Sequence, residues 1–234
     1  MASQWTTISV DGQDTWAYLS LPEVPGPNPG VVVIQHGSGV DDFTQTMTKR
    51  LSEAGYAAIA PSLYSREDPN SGDTAGRFGR LKDSNIIKDV NAAIEHLSKH
   101  PAVRGDRIGI TGFCLGGRVT YLMAGCNPLL RAAGVFYGGN TMAIWGEGPT
   151  PFDRTPNIAC PVIGLFGEDD TNPSPDDVRK LDEELTKYGK VHEFHSYTGT
   201  GHSFQWQGNQ AYRAEAAGDS WEKLLAWFQR YLRD

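Results

Sequence analysis

No apolar run in this chain of 234 residues approaches the ~18 that a membrane-spanning helix requires. The opening stretch, Met1-Ala-Ser-Gln-Trp5, lacks the basic and apolar regions of a secretory signal. Cysteine is scarce as well. Cys114, Cys126 and Cys160 are odd in number and irregularly spaced, which leaves no disulfide framework and no C-x-x-C metal pattern. The expected setting is therefore the reducing cytoplasm, with the cysteines as thiols. Positive charge is also short: 21 Lys and Arg stand against 28 Asp and Glu, a formal net charge of −7. That balance disfavours nucleic acid and anionic membrane surfaces as partners. Internal repeats, low-complexity tracts and linkers are missing too, so residues 1–234 are expected to form one domain.

What is present alternates between strand and helix signals. Residues 5–10 and 15–20 flank Asp11-Gly12 and read as an antiparallel hairpin. Val31-Val-Val-Ile-Gln-His36 is a continuous apolar run, the pattern of a strand buried on both faces. Further strands are expected at 56–60, 108–111, 132–137, 161–166 and 191–197. Helices are expected at 42–54, 85–100, 118–124, 175–188 and 212–231. The second of these sets Ile86, Val90, Ala93, Ile94 and Leu97 on one face. Such alternation implies a mainly parallel sheet of about eight strands with helices on both faces. Two stretches, 62–82 and 140–159, carry no periodicity, and loops of that length inside a compact domain are usually functional.

The chemistry centres on Gly112-Phe-Cys-Leu-Gly-Gly117, which lies between an expected strand and an expected helix. This is the G-x-S-x-G nucleophile elbow with cysteine in the serine position. A sharp turn presents the nucleophile, and side chains two residues either side of it would collide, so glycine stands there. The helix that follows points its free N–H groups at the sulfur and favours thiolate. Taken alone, a G-x-C-x-G turn more often holds a buried structural cysteine. The remaining strand ends decide otherwise. Ligands of such sheets bind beyond the carboxyl ends of the strands. There the chain carries His36-Gly37-Ser38, Cys114, Asp170 and His202. The order nucleophile, acid, histidine is that of the α/β-hydrolase triad.

With those residues in hand, the chain resembles the dienelactone hydrolase family. The resemblance rests on Gly112-Phe-Cys-Leu-Gly-Gly117, Gly167-Glu-Asp-Asp170 and Gly199-Thr-Gly-His-Ser-Phe204, with Pro61-Ser-Leu-Tyr64 and Phe136-Tyr-Gly138 as further family-like pieces. It implies an α/β-hydrolase fold, no cofactor, no metal, and a Cys114–His202–Asp170 triad acting on an ester or lactone. In these roles Cys114 attacks the carbonyl. His202 relays the proton, and Asp170 holds its imidazole. Asp169 is the rival acid, and the family pattern Gly-x-x-Asp favours Asp170. Leu115 supplies one oxyanion N–H. Ser38, ahead of Gly37, supplies the other. Residues expected to shape the substrate pocket are His36, Tyr64, Arg66, Tyr137, Trp145, Phe204 and Trp206, with Phe152, Arg77 and Arg80 nearby in the long loops. His96, His100, His192 and His195 read as structural.

Two departures from the family pattern bear on mechanism and specificity. The family carries His-Glu after the third strand, and that glutamate takes the cysteine's proton until substrate displaces it. Here Gly37 or His36 occupies the glutamate position, depending on the alignment, and there is no glutamate. The family's His-x-Phe-x-Arg also ends differently, as His202-Ser-Phe-Gln-Trp206, so the arginine that binds the substrate's carboxylate is a tryptophan. A larger, less anionic ester, lactone or thioester is expected as substrate. The protein is expected as a monomer or homodimer. The alternatives are a thioesterase, a lyase or cyclase on the same scaffold, or a non-catalytic small-molecule binding protein.

Overall fold

In the computed structural model, which describes residues 2–67 and 76–234, eight strands form one sheet. They are β1 (Ala2–Val10), β2 (Gln13–Leu21), β3 (Asn28–Ile34), β4 (Ala57–Pro61), β5 (Val103–Phe113), β6 (Leu130–Phe136), β7 (Val162–Gly167) and β8 (His192–Tyr197). Their order across the sheet is β1-β2-β4-β3-β5-β6-β7-β8. β1 pairs antiparallel with β2, and β2 antiparallel with β4; every later pairing is parallel. This is the α/β-hydrolase architecture expected from the sequence.

Five helices cover the sheet: α1 (Asp42–Glu53), α2 (Asp83–Ser98), α3 (Leu115–Ala124), α4 (Pro175–Lys187) and α5 (Ala214–Phe228). The continuous apolar run of β3 serves two cores at once. Val32 and Ile34 join the residues under α2, α3 and α4, while Val31 and Val33 join those under α1 and α5. Alternate side chains of a strand leave opposite faces, so a strand covered on both sides must be apolar throughout. Helix ends follow local chemistry. Asp41 caps α1 by accepting from the Thr44 N–H. Ser174 and Asp177 form a reciprocal capping box at α4, with Pro175 at its first position.

Several boundaries differ from the sequence reading, β1 and β3 each starting three residues early, at Ala2 and Asn28. β5 starts at Val103, five residues before its expected start. Val103 and Arg104 pair with Asn28 and Pro29 of β3, and Gly105 to Arg107 fall in the register shift before Ile108 meets Gly30. α3 starts at Leu115, directly after the turn. The expected helix at 212–231 divides into α5 and a π-helical turn, Gln229–Arg233. The two long irregular stretches each hold a 3₁₀ turn, Phe78–Arg80 and Phe152–Asn157. Part of the expected loop at 62–82 lies outside the described residues. No helix is long and apolar enough to cross a membrane among the described residues.

Candidate active site

Cys114 stands between β5 and α3 with φ 57° and ψ −116°, a strained conformation for a residue with a side chain. Its neighbours make the strain sterically feasible. A Cβ on Gly112 would lie 2.3 Å from the Gly116 carbonyl oxygen, and one on Gly116 would lie 2.3 Å from that of Ile34. The turn thus packs backbone on backbone at two places where no side chain fits. The Cys114 N–H donates to the Phe136 carbonyl (3.1 Å), and its own carbonyl accepts from Gly117 (2.9 Å). Leu115 N–H, the first of α3, donates to no group among the described residues and lies at the positive end of the helix.

His202, in the turn after β8, brings Nδ1 to 2.7 Å from Asp170 Oδ2. Asp170 is buried, and its other oxygen accepts the Asn172 N–H at 2.9 Å. Asp169, the rival carboxylate, is exposed. Burial pulls the His202 pKa down, but hydrogen bonding to Asp170 and to Cys114 outweighs it, and the imidazole is pushed up to about 10. Burial raises the Cys126 thiol and pushes Cys160 up to about 12.

A cavity of about 210 Å³ opens beside these groups. Cys114, Leu115, His202, Asn140, Phe78 and Trp145 are among its lining residues. Of the residues expected to shape the pocket, Trp145 lines it, meeting Phe78 edge to face at 5.3 Å. Tyr137 and Phe204 stand behind His202 as fully buried rings, Tyr137 at 5.1 Å from both His202 and Phe204. Tyr64 donates its hydroxyl to the Gly37 carbonyl at 2.8 Å, and Arg77 donates to the Ser38 carbonyl at 2.8 Å while stacking on Tyr64. These two bonds fix the loop after β3. The Gly37 and Ser38 N–H groups donate to nothing among the described residues. Arg66 is turned away, held by Asp89 at 2.6 Å, and Arg80 pairs with Glu67 at 2.7 Å. His36 is also turned from the cavity: its Nε2 lies 2.8 Å from Asp41 and its ring packs against Phe43 and Trp206. Phe152 packs against the core.

Arg118 was missing from the expected site. It is fully buried on α3, forks onto both oxygens of Asp83 (2.6 and 3.0 Å), and donates to the carbonyls of Asn140 and Ala143. Its guanidinium lies 3.7 Å from the Trp145 ring centroid. The Trp145 carbonyl in turn accepts the Asp83 N–H at 2.9 Å. One arginine therefore fastens the loop carrying Asn140 and Trp145 to α2 and α3. The available signal was an arginine inside an otherwise apolar helix. Asn172 was likewise missing; its side-chain oxygen accepts the Asn140 N–H at 3.0 Å. Among the described residues, no three His, Cys, Asp or Glu side chains gather as a metal site.

Comparison with known proteins gives the family. The profile of the Dienelactone hydrolase family matches residues 16–232. A Synechocystis protein named "Putative carboxymethylenebutenolidase" is 34% identical, over 97% of each chain. A Bradyrhizobium protein named "Probable 2-oxo-3-(5-oxofuran-2-ylidene)propanoate lactonase" is 30% identical, covering 99% of this chain and 96% of its own. The crystal structure titled as a putative dienelactone hydrolase from Klebsiella pneumoniae superposes with a TM-score of 0.90 at 31% identity, over 98% of this chain and 99% of that one.

Proposed function

The chain belongs to the dienelactone hydrolase family, and from that membership we propose that Cys114, His202 and Asp170 cleave an ester or lactone whose acyl end carries no negative charge. As a family member it is a carboxylic ester or lactone hydrolase. The observation that carries the triad is the 2.7 Å contact of His202 with Asp170 beside a cysteine held at φ 57°. In this reading residues 1–234 act as one domain.

The reaction follows from the geometry. The Cys114 thiolate adds to the substrate carbonyl. The oxyanion that forms takes the Leu115 N–H and the Ser38 N–H. Tyr64 supports Ser38 over Gly37 for this role. Its hydroxyl fixes the Gly37 carbonyl, and the Ser38 N–H of the same peptide points the opposite way. Protonated His202 gives its Nε2 proton to the departing alkoxide as the tetrahedral intermediate collapses to a thioester. Water then attacks the thioester, His202 takes its proton, and the thiolate leaves with the acid as product. Throughout, Nδ1–H stays on Asp170, which fixes the tautomer and offsets the imidazolium charge.

The substrate class rests on the cations around the cavity. Arg118 is engaged by Asp83 and two carbonyls, and Arg66, Arg77 and Arg80 are held by Asp89, Ser38 and Glu67. With Phe78 and Trp145 on the wall, a neutral, partly aromatic acyl group fits better than an anionic one.

The test is turnover of p-nitrophenyl acetate together with intact-mass spectrometry, on wild type and Cys114→Ala. Turnover with a transient acyl mass, both lost in the variant, supports the reading. Turnover that survives in Cys114→Ala overturns it.

A further inference from the structure

A second cavity, of about 370 Å³, opens between α1 and α5 and shares no lining residue with the one beside Cys114. Phe43, Met47, Trp206 and Tyr212 give it an apolar and aromatic wall, and Arg50, in the last turn of α1, is its cation. Its volume falls within the range of small-molecule sites, at the lower end.

Arg50 is half-buried, yet it stands in no ion pair among the described residues. Its one hydrogen bond runs to the Met47 sulfur at 3.7 Å, a weak acceptor. Its guanidinium lies 4.1 Å from the centroid of Trp221, so one flat face is covered by a ring. Desolvation lowers its pKa, against the smaller opposing influence of Tyr212 and Glu53. Apart from that contact its N–H donors have no acceptor from the described residues, and a carboxylate is the acceptor that matches its fork. The other arginine buried beside the sheet, Arg118, already has such a partner in Asp83.

We propose that this cavity binds a small monocarboxylate with an apolar or aromatic body, the carboxylate on Arg50 and the body against Phe43, Met47, Trp206 and Tyr212. A single cation sets the charge at one. Asp42, exposed at the rim of the same cavity, disfavours a polyanion such as a nucleotide. The site stands apart from the triad, so it holds whether or not Cys114 is the nucleophile.

The probe is 4-phenylbutyrate, compared with its neutral amide and followed by tryptophan fluorescence, since Trp206 lines the cavity and Trp221 stacks on Arg50. The acid is expected to bind at least about tenfold more tightly than the amide, which corresponds to roughly one charge-assisted hydrogen-bonded contact. Arg50→Gln removes that preference. Thr46→Trp, a substitution at an exposed lining position that keeps Arg50, fills the cavity and abolishes binding; it carries the test if Arg50→Gln folds poorly. Protein carboxamidomethylated at Cys114 binds as before. Equal binding of acid and amide, binding retained in Arg50→Gln or Thr46→Trp, or binding lost on blocking Cys114 would each overturn the proposal.

Discussion

The imidazole of His36 meets the indole of Trp206 nearly edge to face, with ring centroids 5.2 Å apart and planes inclined by 77°. These residues occupy the positions at which the family pattern carries glutamate, in the ungapped alignment, and arginine. Two substitutions 170 residues apart in the chain are thus one packing unit. An aromatic contact, braced by Phe43 on one side and by Asp41 on the other, occupies the place of two charged side chains. A histidine tied to Asp41 and packed in this way is not poised to take a proton from Cys114.

The first prediction concerns the resting thiol. Among the described residues no glutamate lines the Cys114 cavity, and in the proposed triad the thiol's proton has His202 as its partner in the free enzyme. Iodoacetamide should therefore modify Cys114 rapidly without substrate. A non-hydrolysable substrate analogue should slow the reaction by occupying the cavity. Kinetics followed by intact mass provide the check, and acceleration by the analogue would contradict the assignment.

The pH dependence of stability follows from His202. Its folded pKa, about 10, lies above the ordinary value of 6.5. A group with a raised folded pKa stabilises fully below its unfolded pKa, and the contribution is lost as pH rises through the folded value. Asp170→Asn removes the main cause of the rise. The Tm difference between wild type and Asp170→Asn should be largest near about pH 6.5, shrink steadily above it, and lose this contribution beyond about pH 10. A difference that grows across that window would contradict the pairing.

Arg118 supplies a third prediction. Arg118→Met leaves the Asp83 carboxylate buried without its partner, which typically costs about 3–5 kcal/mol. It also frees the carbonyls of Asn140 and Ala143, and with them the Trp145 wall. Chemical denaturation should show that loss. Adding Asp83→Leu should recover much of it, because two apolar groups leave no uncompensated charge. The double variant should keep a raised KM, since the loop is still unfastened.

The elbow turn and the pairing of His202 with Asp170 were legible in the sequence because each is marked by a short motif at a strand end. Gly112 is demanded by a backbone contact inside the turn and Gly116 by the Ile34 carbonyl at the end of β3, yet both sit at fixed offsets from Cys114, and Asp170 and His202 each follow a strand. What lay hidden depends on contacts between distant segments. Nothing near His36 in the chain announces Trp206, and nothing near Arg118 announces Asp83. The charges of Arg104, Asp106 and Arg107 concealed the first half of β5, which is tied to β3 through Val103 and Arg104. Tyr137 and Phe204 carry the residue types of a pocket wall, but both are packed behind His202, a difference that only the fold decides.

The last prediction separates the two oxyanion candidates. A Cβ on Gly37 would meet nothing nearer than Phe78 Cδ2 at 3.9 Å, so Gly37→Ala fits without displacing a neighbour. Tyr64→Phe, by contrast, removes the hydroxyl that fixes the Gly37 carbonyl, and with it the direction of the Ser38 N–H. Loss of one such bond is worth about 0.5–1.5 kcal/mol, so kcat should fall by roughly twofold to tenfold with KM little changed. If Ser38 N–H is the donor, Tyr64→Phe lowers kcat; Gly37→Ala keeps its own N–H and fits in place, so it is the control expected near wild type. If Tyr64→Phe leaves kcat at the wild-type value, the donor is not fixed through this peptide. Steady-state kinetics on the two variants, with melting curves to confirm folding, distinguish the cases.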